Sequence, residues 1–320
     1  MITSAAQRPH VSVVVPARNE ERHVSGCVRS ILEQEVEGGV EVIVADGRSV
    51  DGTAELARAA GATVVANPAG TTPAGLNAAL EHARGDVVVR FDAHAEMPPG
   101  YLAACLGSLD GQRARPVCVG GWRRVAARGP WGRATAAALA SRFGVGNPRL
   151  WRPPQPTEQP TEVDTVALGA WFAEHLRALG GWNERYLRNQ DFELNHRLRR
   201  AGGSVVFDPQ VWSLYRPRET PAALARQYWD YGRFKALMLA QQPRSLRPRQ
   251  LAPIGLLATL LAATKFAPAR AALGVYGLTL GAVAARSGAG WRTAAALATM
   301  HLTWGAGLAV GFVQHAAKRP

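Results

Sequence analysis

Three observations predict an α/β chain built on a mixed, mainly parallel central sheet. Apolar, β-branched runs at residues 11–15, 41–45, 62–65 and 87–89 alternate with segments of helical periodicity. Each run is separated from the next by enough chain for a helical crossover, which is what parallel neighbours require. Three of the runs lead into acid-bearing loops, at Glu20-Glu21, Asp46 and Asp92. In an open parallel sheet such loops converge on one edge, where ligands bind.

Taken in order, Val11-Ser12-Val13-Val14-Val15 is a strand stopped by Pro16. A helix is expected next, capped by Asn19 and carrying Val24, Cys27, Val28, Ile31 and Leu32 on one face as far as about residue 35. The second strand, 41–45, opens into the polar loop Asp46-Gly47-Arg48-Ser49-Val50-Asp51-Gly52-Thr53, where Asp51 is the best placed to cap the following helix. A third strand (62–65), a turn at Asn67-Pro68-Ala69-Gly70 and a helix (73–84) lead to the fourth strand, 87–89. That strand ends in Asp92-Ala93-His94, and its alternation would turn both ligating side chains to the same side.

Further on, a helix is expected at 101–109 and a strand at 117–119, with Gly120-Gly121 allowing close backbone approach. Residues 123–160 read as a mobile loop over the active site or acceptor channel, with a short Ala-rich helix near 134–141. A strand at 166–172 holds Gly169 for close packing. Helices follow it, the second opening at Arg188-Asn189-Gln190-Asp191, and a strand is expected at 204–209. Asp191 lies at the start of its helix, where the dipole favours a carboxylate.

The net charge of +13 points to anionic partners. The aromatic and basic residues cluster beside apolar segments, not on one polar face, so nucleic acid is excluded as the partner. Three well-separated cysteines in no ligand spacing read as reduced structural thiols facing the cytosol. No apolar run of signal-peptide length precedes the first strand, so no cleaved export signal is expected. Neither Gly-x-Gly-x-x-Gly nor a P-loop motif occurs, which removes dinucleotide and P-loop sites.

Val15-Pro16-x-x-Asn19-Glu20, the Asp46-Gly47-x-Ser49-x-Asp51-Gly52-Thr53 loop and a strand ending in Asp92-x-His94 resemble, in order and interval, a family 2 glycosyltransferase of the GT-A fold. The resemblance spans roughly residues 10 to 240. Phe91-Asp92-Ala93-His94-Ala95, with His where a second Asp is usual, is similar to the succinoglycan-type exopolysaccharide glucosyltransferase branch. The resemblance implies that Pro16 and Ala17 meet the base through backbone atoms, that Glu20 lies beside the nucleoside, and that Asp46 accepts the base N–H of uracil. It places Asp92 at the ribose or metal shell, His94 on Mn²⁺ or Mg²⁺, Asn77 at the diphosphate, and Asp191 as the base that deprotonates the acceptor hydroxyl. Imidazole favours Mn²⁺ of the two cations. The activity implied is inverting hexosyl transfer from a nucleoside diphosphate sugar, UDP-glucose being the expected donor, to a lipid-linked glycan. The alternative is a basic membrane-associated scaffold that binds nucleotide without turnover.

Residues 1–215 are thus expected to form the catalytic domain. Residues 216–250 read as a basic, aromatic interfacial helix and linker; Gln227 to Lys235 resembles the Gln-x-x-Arg-Trp element of processive members, but its longer spacing and Phe234 in place of Trp argue against processive synthesis. Residues 251–320 hold apolar runs at 251–264, 271–285 and 293–313, expected as transmembrane or re-entrant helices. The arginines before residue 251 orient the catalytic domain to the cytoplasmic side of an inner or plasma membrane.

Overall fold

The alternation of β-branched runs with amphipathic segments produces one eight-stranded sheet. The computed structural model describes residues 11–145 and 148–316. Its elements are β1 (Val11–Ala17), α1 (Val24–Leu32), β2 (Val40–Asp46), α2 (Thr53–Ala59), β3 (Thr63–Ala66), α3 (Thr72–His82), β4 (Val87–Arg90), α4 (Tyr101–Leu109) and β5 (Val117–Val125). They continue with α5 (Gly129–Ala140), β6 (Thr161–Glu162), β7 (Ala170–Phe172), α6 (Ala173–Ala178), α7 (Gln190–Arg200) and β8 (Ser204–Tyr215). The C-terminal helices are α8 (Pro221–Gln241), α9 (Ala252–Ala262), α10 (Ala267–Arg286) and α11 (Trp291–Ala316).

Strand order is β3-β2-β1-β4-β7-β5-β8-β6. The first four strands are parallel to one another, and β7 then runs antiparallel to both β4 and β5. The sheet is therefore mixed, with a parallel block leading it. Val13, Val15, Val42, Val44, Val87 and Val89 are buried beneath α1 and α4. Each stabilises the layer by about 1.5 kcal/mol or more. Register sets the site: Ala17 lies opposite Asp46, and Val14 opposite Arg90, so three strand ends share one edge. Gly121 has to be glycine, because a Cβ there would lie 1.6 Å from the Val211 carbonyl oxygen.

Two compact units divide the chain. One comprises residues 1–124 and 154–214 and contains the sheet; the other comprises 125–153 and 215–320. In the second unit Ala138 and Leu139 of α5 pack with Leu224 and Tyr228 of α8, Leu280 of α10, and Ala296, Leu297 and Met300 of α11.

Several local expectations change. Helix α1 begins at Val24, not beside Asn19, whose φ of 55° takes it out of the helical region and whose side chain serves a neighbouring loop. Within residues 123–160, β5 extends to Val125, and the Ala-rich helix expected near 134–141 forms as α5 but begins earlier, at Gly129, with Ala138 and Leu139 buried in the second unit. The strand expected at 166–172 pairs only from Ala170, because Leu168 adopts φ 55°. Finally, of the three apolar runs a single helix, over Trp291–Gln314, is long and apolar enough to cross a membrane among the described residues. Lys265 and Arg270 separate the first run from the second, and Arg286 and Arg292 the second from the third.

Candidate active site

The site is assembled where β1, β2 and β4 end. At the close of β2 the Asp46 carboxylate accepts from the Ser49 amide through Oδ2 (3.2 Å), which folds the following loop back on the strand. The Gly47 amide donates to the Ala17 carbonyl (2.8 Å), binding that loop to the end of β1. The Asn19 amide donates to Ser49 Oγ (2.9 Å), and Asn19 Oδ1 accepts from the Val50 amide (3.0 Å). The Glu20 amide donates to Thr53 Oγ1 (2.7 Å), whose hydroxyl also meets Asp51. Asp51 Oδ1 accepts the Thr53 amide as well, but the helix is capped by Gly52 and not, as expected, by Asp51. Asn19, Arg48 and Asn189 all hold positive φ, at 55°, 61° and 63°, and each adjoins a candidate residue or its loop. Non-glycine residues in that region cost energy and are held only where surrounding contacts fix them.

Beyond β4 the chain leaves the sheet at once, so Asp92-Ala93-His94 forms a turn and not a strand end. Strand alternation therefore does not align the two side chains, contrary to expectation. The Glu20 carboxylate lies 3.5 Å from His94 Nδ1. Asp92 Oδ1 accepts from Arg90 Nη2 (3.0 Å), and Arg90 Nη1 donates to Asp191 Oδ2. Asp46 is thus tied to the Asn19 amide through Ser49, Glu20 lies against His94, and Arg90 joins Asp92 to Asp191. Burial raises the Asp92 carboxyl, but the charges of Arg90, His94 and Arg123 outweigh it and hold the group below the usual carboxylate range.

Arg90 was not singled out by the sequence. It is 6% exposed and bridges the carboxylate of Asp92, two residues on, to that of Asp191, 101 residues on. Burial disfavours its charge, and Asp191 and Asp92 restore it. The one available signal was an arginine ending an otherwise apolar buried run, Val87-Val88-Val89-Arg90. Two acceptor atoms of these residues, Asp46 Oδ1 and Asp191 Oδ1, are buried and take no hydrogen bond from the protein. Buried acceptors of this kind are costly unless something donates to them.

Asn77 stands apart from the site. Its amide donates to the Trp182 carbonyl (2.8 Å) and to Glu184 (3.0 Å), while its oxygen accepts from the Trp182 amide (2.8 Å). It pins the Gly180–Glu184 turn to α3, which corrects the diphosphate role implied for it. Glu193, fully buried, is likewise structural: Arg197 meets it in a bidentate pair one turn along α7.

Asp92 and His94 are two donors of the right chemistry for a divalent cation, and no cluster of three or more ligating His, Cys, Asp or Glu occurs among the described residues. Asp92 has one oxygen committed to Arg90, and the His94 side chain is 59% exposed. This donor set fits an open site whose remaining ligands come from substrate oxygens and water, and it does not fit a closed protein cage.

Comparison with known proteins agrees with the architecture. The chain is similar to the succinoglycan biosynthesis protein ExoA of Rhizobium meliloti (strain 1021), with 29% identity over 92% of each chain. It is 21% identical, over 72% of this chain and 74% of the relative, to a dolichyl N-acetyl-α-D-glucosaminyl phosphate 3-β-D-2,3-diacetamido-2,3-dideoxy-β-D-glucuronosyltransferase of Methanococcus voltae. Among solved structures it shares the fold of the mannosyltransferase PcManGT from Pyrobaculum calidifontis, solved in complex with GDP-Man and Mn²⁺. There the TM-score is 0.64 at 23% identity, covering 96% of this chain and 88% of that one. The profile of glycosyl transferase family 2 matches residues 12–171, half of the 320 residues, and the chain belongs to that family.

Proposed function

We propose that this family 2 glycosyltransferase is an inverting hexosyltransferase that moves a sugar, glucose from UDP-glucose in the first instance, to a lipid-linked glycan of an exopolysaccharide or cell-envelope polymer. The observation that carries the reading is the pair of buried, unsatisfied acceptors, Asp46 Oδ1 at the end of β2 and Asp191 Oδ1 at the start of α7. An acceptor at the end of β2 suits the ring N–H of a uracil laid against Pro16 and Ala17. An acceptor at the start of α7 suits the hydroxyl proton of an incoming sugar.

In this reading Asp46 orients the base, and Glu20 lies beside the nucleoside. Asp92 and His94 hold a divalent cation, Mn²⁺ or Mg²⁺, which neutralises the departing diphosphate when bound. Asp191 takes the acceptor proton as its oxygen attacks from the face opposite the leaving group. Arg90 holds Asp191 and Asp92 at a fixed separation, so the base needs no reorientation at the moment of attack. The basic and apolar C-terminal segments keep the catalytic domain on the cytoplasmic side of the inner or plasma membrane, beside a lipid-linked acceptor.

The test is a screen of nucleoside diphosphate sugars for nucleotide release against lipid extracts, with and without Mn²⁺. Release that needs a UDP-sugar, lipid extract and metal together supports the reading. Nucleotide binding without release under every combination would instead support the scaffold reading.

A further inference from the structure

Helix α11 meets the length and composition of a membrane span, yet its surroundings do not suit one. It runs beside α8 in parallel register: Tyr228 clusters with Met300, and Ala236 with Leu308. The contact is close because a Cβ on Gly232 would lie 2.2 Å from the Trp304 carbonyl oxygen, and one on Gly307 would lie 2.3 Å from that of Trp229. This register sets Asp230 level with the middle of the apolar run Trp291–Gln314, with Arg226 and Arg233 one turn to either side. A bilayer crossed by α11 would enclose those charges at its centre, where ionised groups are most costly.

A longer exposed apolar surface lies on α10. One face of α10, carrying Tyr276, Leu280 and Val283, packs toward α11. The opposite face forms an exposed stripe, Ala271, Val275, Leu278, Ala282 and Ala285, at helical spacing, with Val275 64% and Leu278 76% exposed. Arg270 and Arg286 bracket the stripe, and no Asp or Glu follows Asp230 in the sequence. Apolar side chains along the length with cations at both ends match a helix lying in the headgroup plane of an anionic leaflet. Helix α9, at 11 residues, is about 16 Å long and too short to cross.

We propose that the C-terminal unit is monotopic: the outer stripe of α10 enters one leaflet of an anionic membrane, and α11 is the internal spine of that unit and crosses nothing. The test uses the full chain added to preformed vesicles and reads membrane binding, not activity, so its failure leaves the reading of the nucleotide site untouched. Vesicles of phosphatidylcholine mixed with phosphatidylglycerol should float the protein at least roughly tenfold better than phosphatidylcholine alone. Val275→Glu with Leu278→Glu should abolish flotation while the far-ultraviolet circular dichroism spectrum stays native. A second measurement needs no apolar-to-charged change: a nitrobenzoxadiazole fluorophore is attached through Ala289→Cys or Gln314→Cys, at either end of α11. Dithionite added outside should bleach both labels. Protection of one label only, or flotation of the double variant like the wild type, overturns the proposal.

Discussion

The two compact units solve opposite problems. The sheet unit takes charges inside: Arg90, Glu193 and Asp208 are each at most 6% exposed, and Arg90 and Glu193 lie in ion pairs. The second unit leaves apolar groups outside, including Leu261, Phe266, Val275, Leu278 and Val313, each at least 60% exposed. A buried charge is retained against its desolvation cost where chemistry or a fixed geometry needs it. An exposed apolar patch marks a surface meant to be covered by something other than water. One unit thus fixes Arg90 and Glu193 in internal pairs, and the other presents apolar side chains at its surface.

That contrast can be broken by mutation, and the largest effect belongs to the base. Asp191→Asn should lower transfer by roughly 10²–10⁴-fold, the range for removing a general base, while UDP affinity measured by calorimetry stays within a factor of two or so. Full activity in this variant would remove Asp191 from the chemistry. Next is Arg90→Gln, which takes from Asp191 the guanidinium it pairs with and from Asp92 one of its three cationic neighbours. A loss of about 3 kcal/mol in urea unfolding is expected, and a stable variant would mean the bridge is dispensable. Asp46→Ala should weaken UDP binding about tenfold, from one charge-assisted hydrogen bond lost. His94→Ala should erase the gain in UDP affinity that Mn²⁺ brings and leave metal-free affinity unchanged; a persisting gain would take His94 out of the metal shell. The smallest effect lies in the second unit. Leu278→Asn should shift stability in mild detergent by about 0.5 kcal/mol or less, because the side chain is already exposed. A large loss there would erase the contrast between the units.

The three thiols separate the same two modes. Cys27, Cys105 and Cys118 are all buried in the sheet unit, and burial, aided by Asp92, pushes Cys27 up to about 12. They pack as small apolar groups, in keeping with the reduced structural role expected of them.

Some of this was legible in the residues themselves. Continuous β-branched runs such as 11–15 and 87–89 and the helical spacing of Val24, Cys27, Val28 and Ile31 report local geometry, and local geometry is written in consecutive residues. The loop motif around Asp46 and Asp51 was legible for the same reason: its hydrogen bonds to Ser49 and Thr53 span two or three residues. Asn77 was misjudged because its partners, Trp182 and Glu184, lie more than a hundred residues away. Arg90 went unseen for a like reason, since its meaning depends on Asp191.

The sequence by itself determined the alternation of strands and helices, the edge on which the acids gather, and the acid-free, apolar character of the C-terminal ninety or so residues. These follow from periodicity, propensity and charge, which act between near neighbours along the chain. Only the tertiary structure decided that Arg90 joins Asp92 to Asp191, that residues 125–153 join the C-terminal unit, and that α11 lies against the charged helix α8. Those are pairings between distant segments. Many partners satisfy the same local pattern, and packing selects among them through shape and through the cost of leaving a buried polar group unmatched.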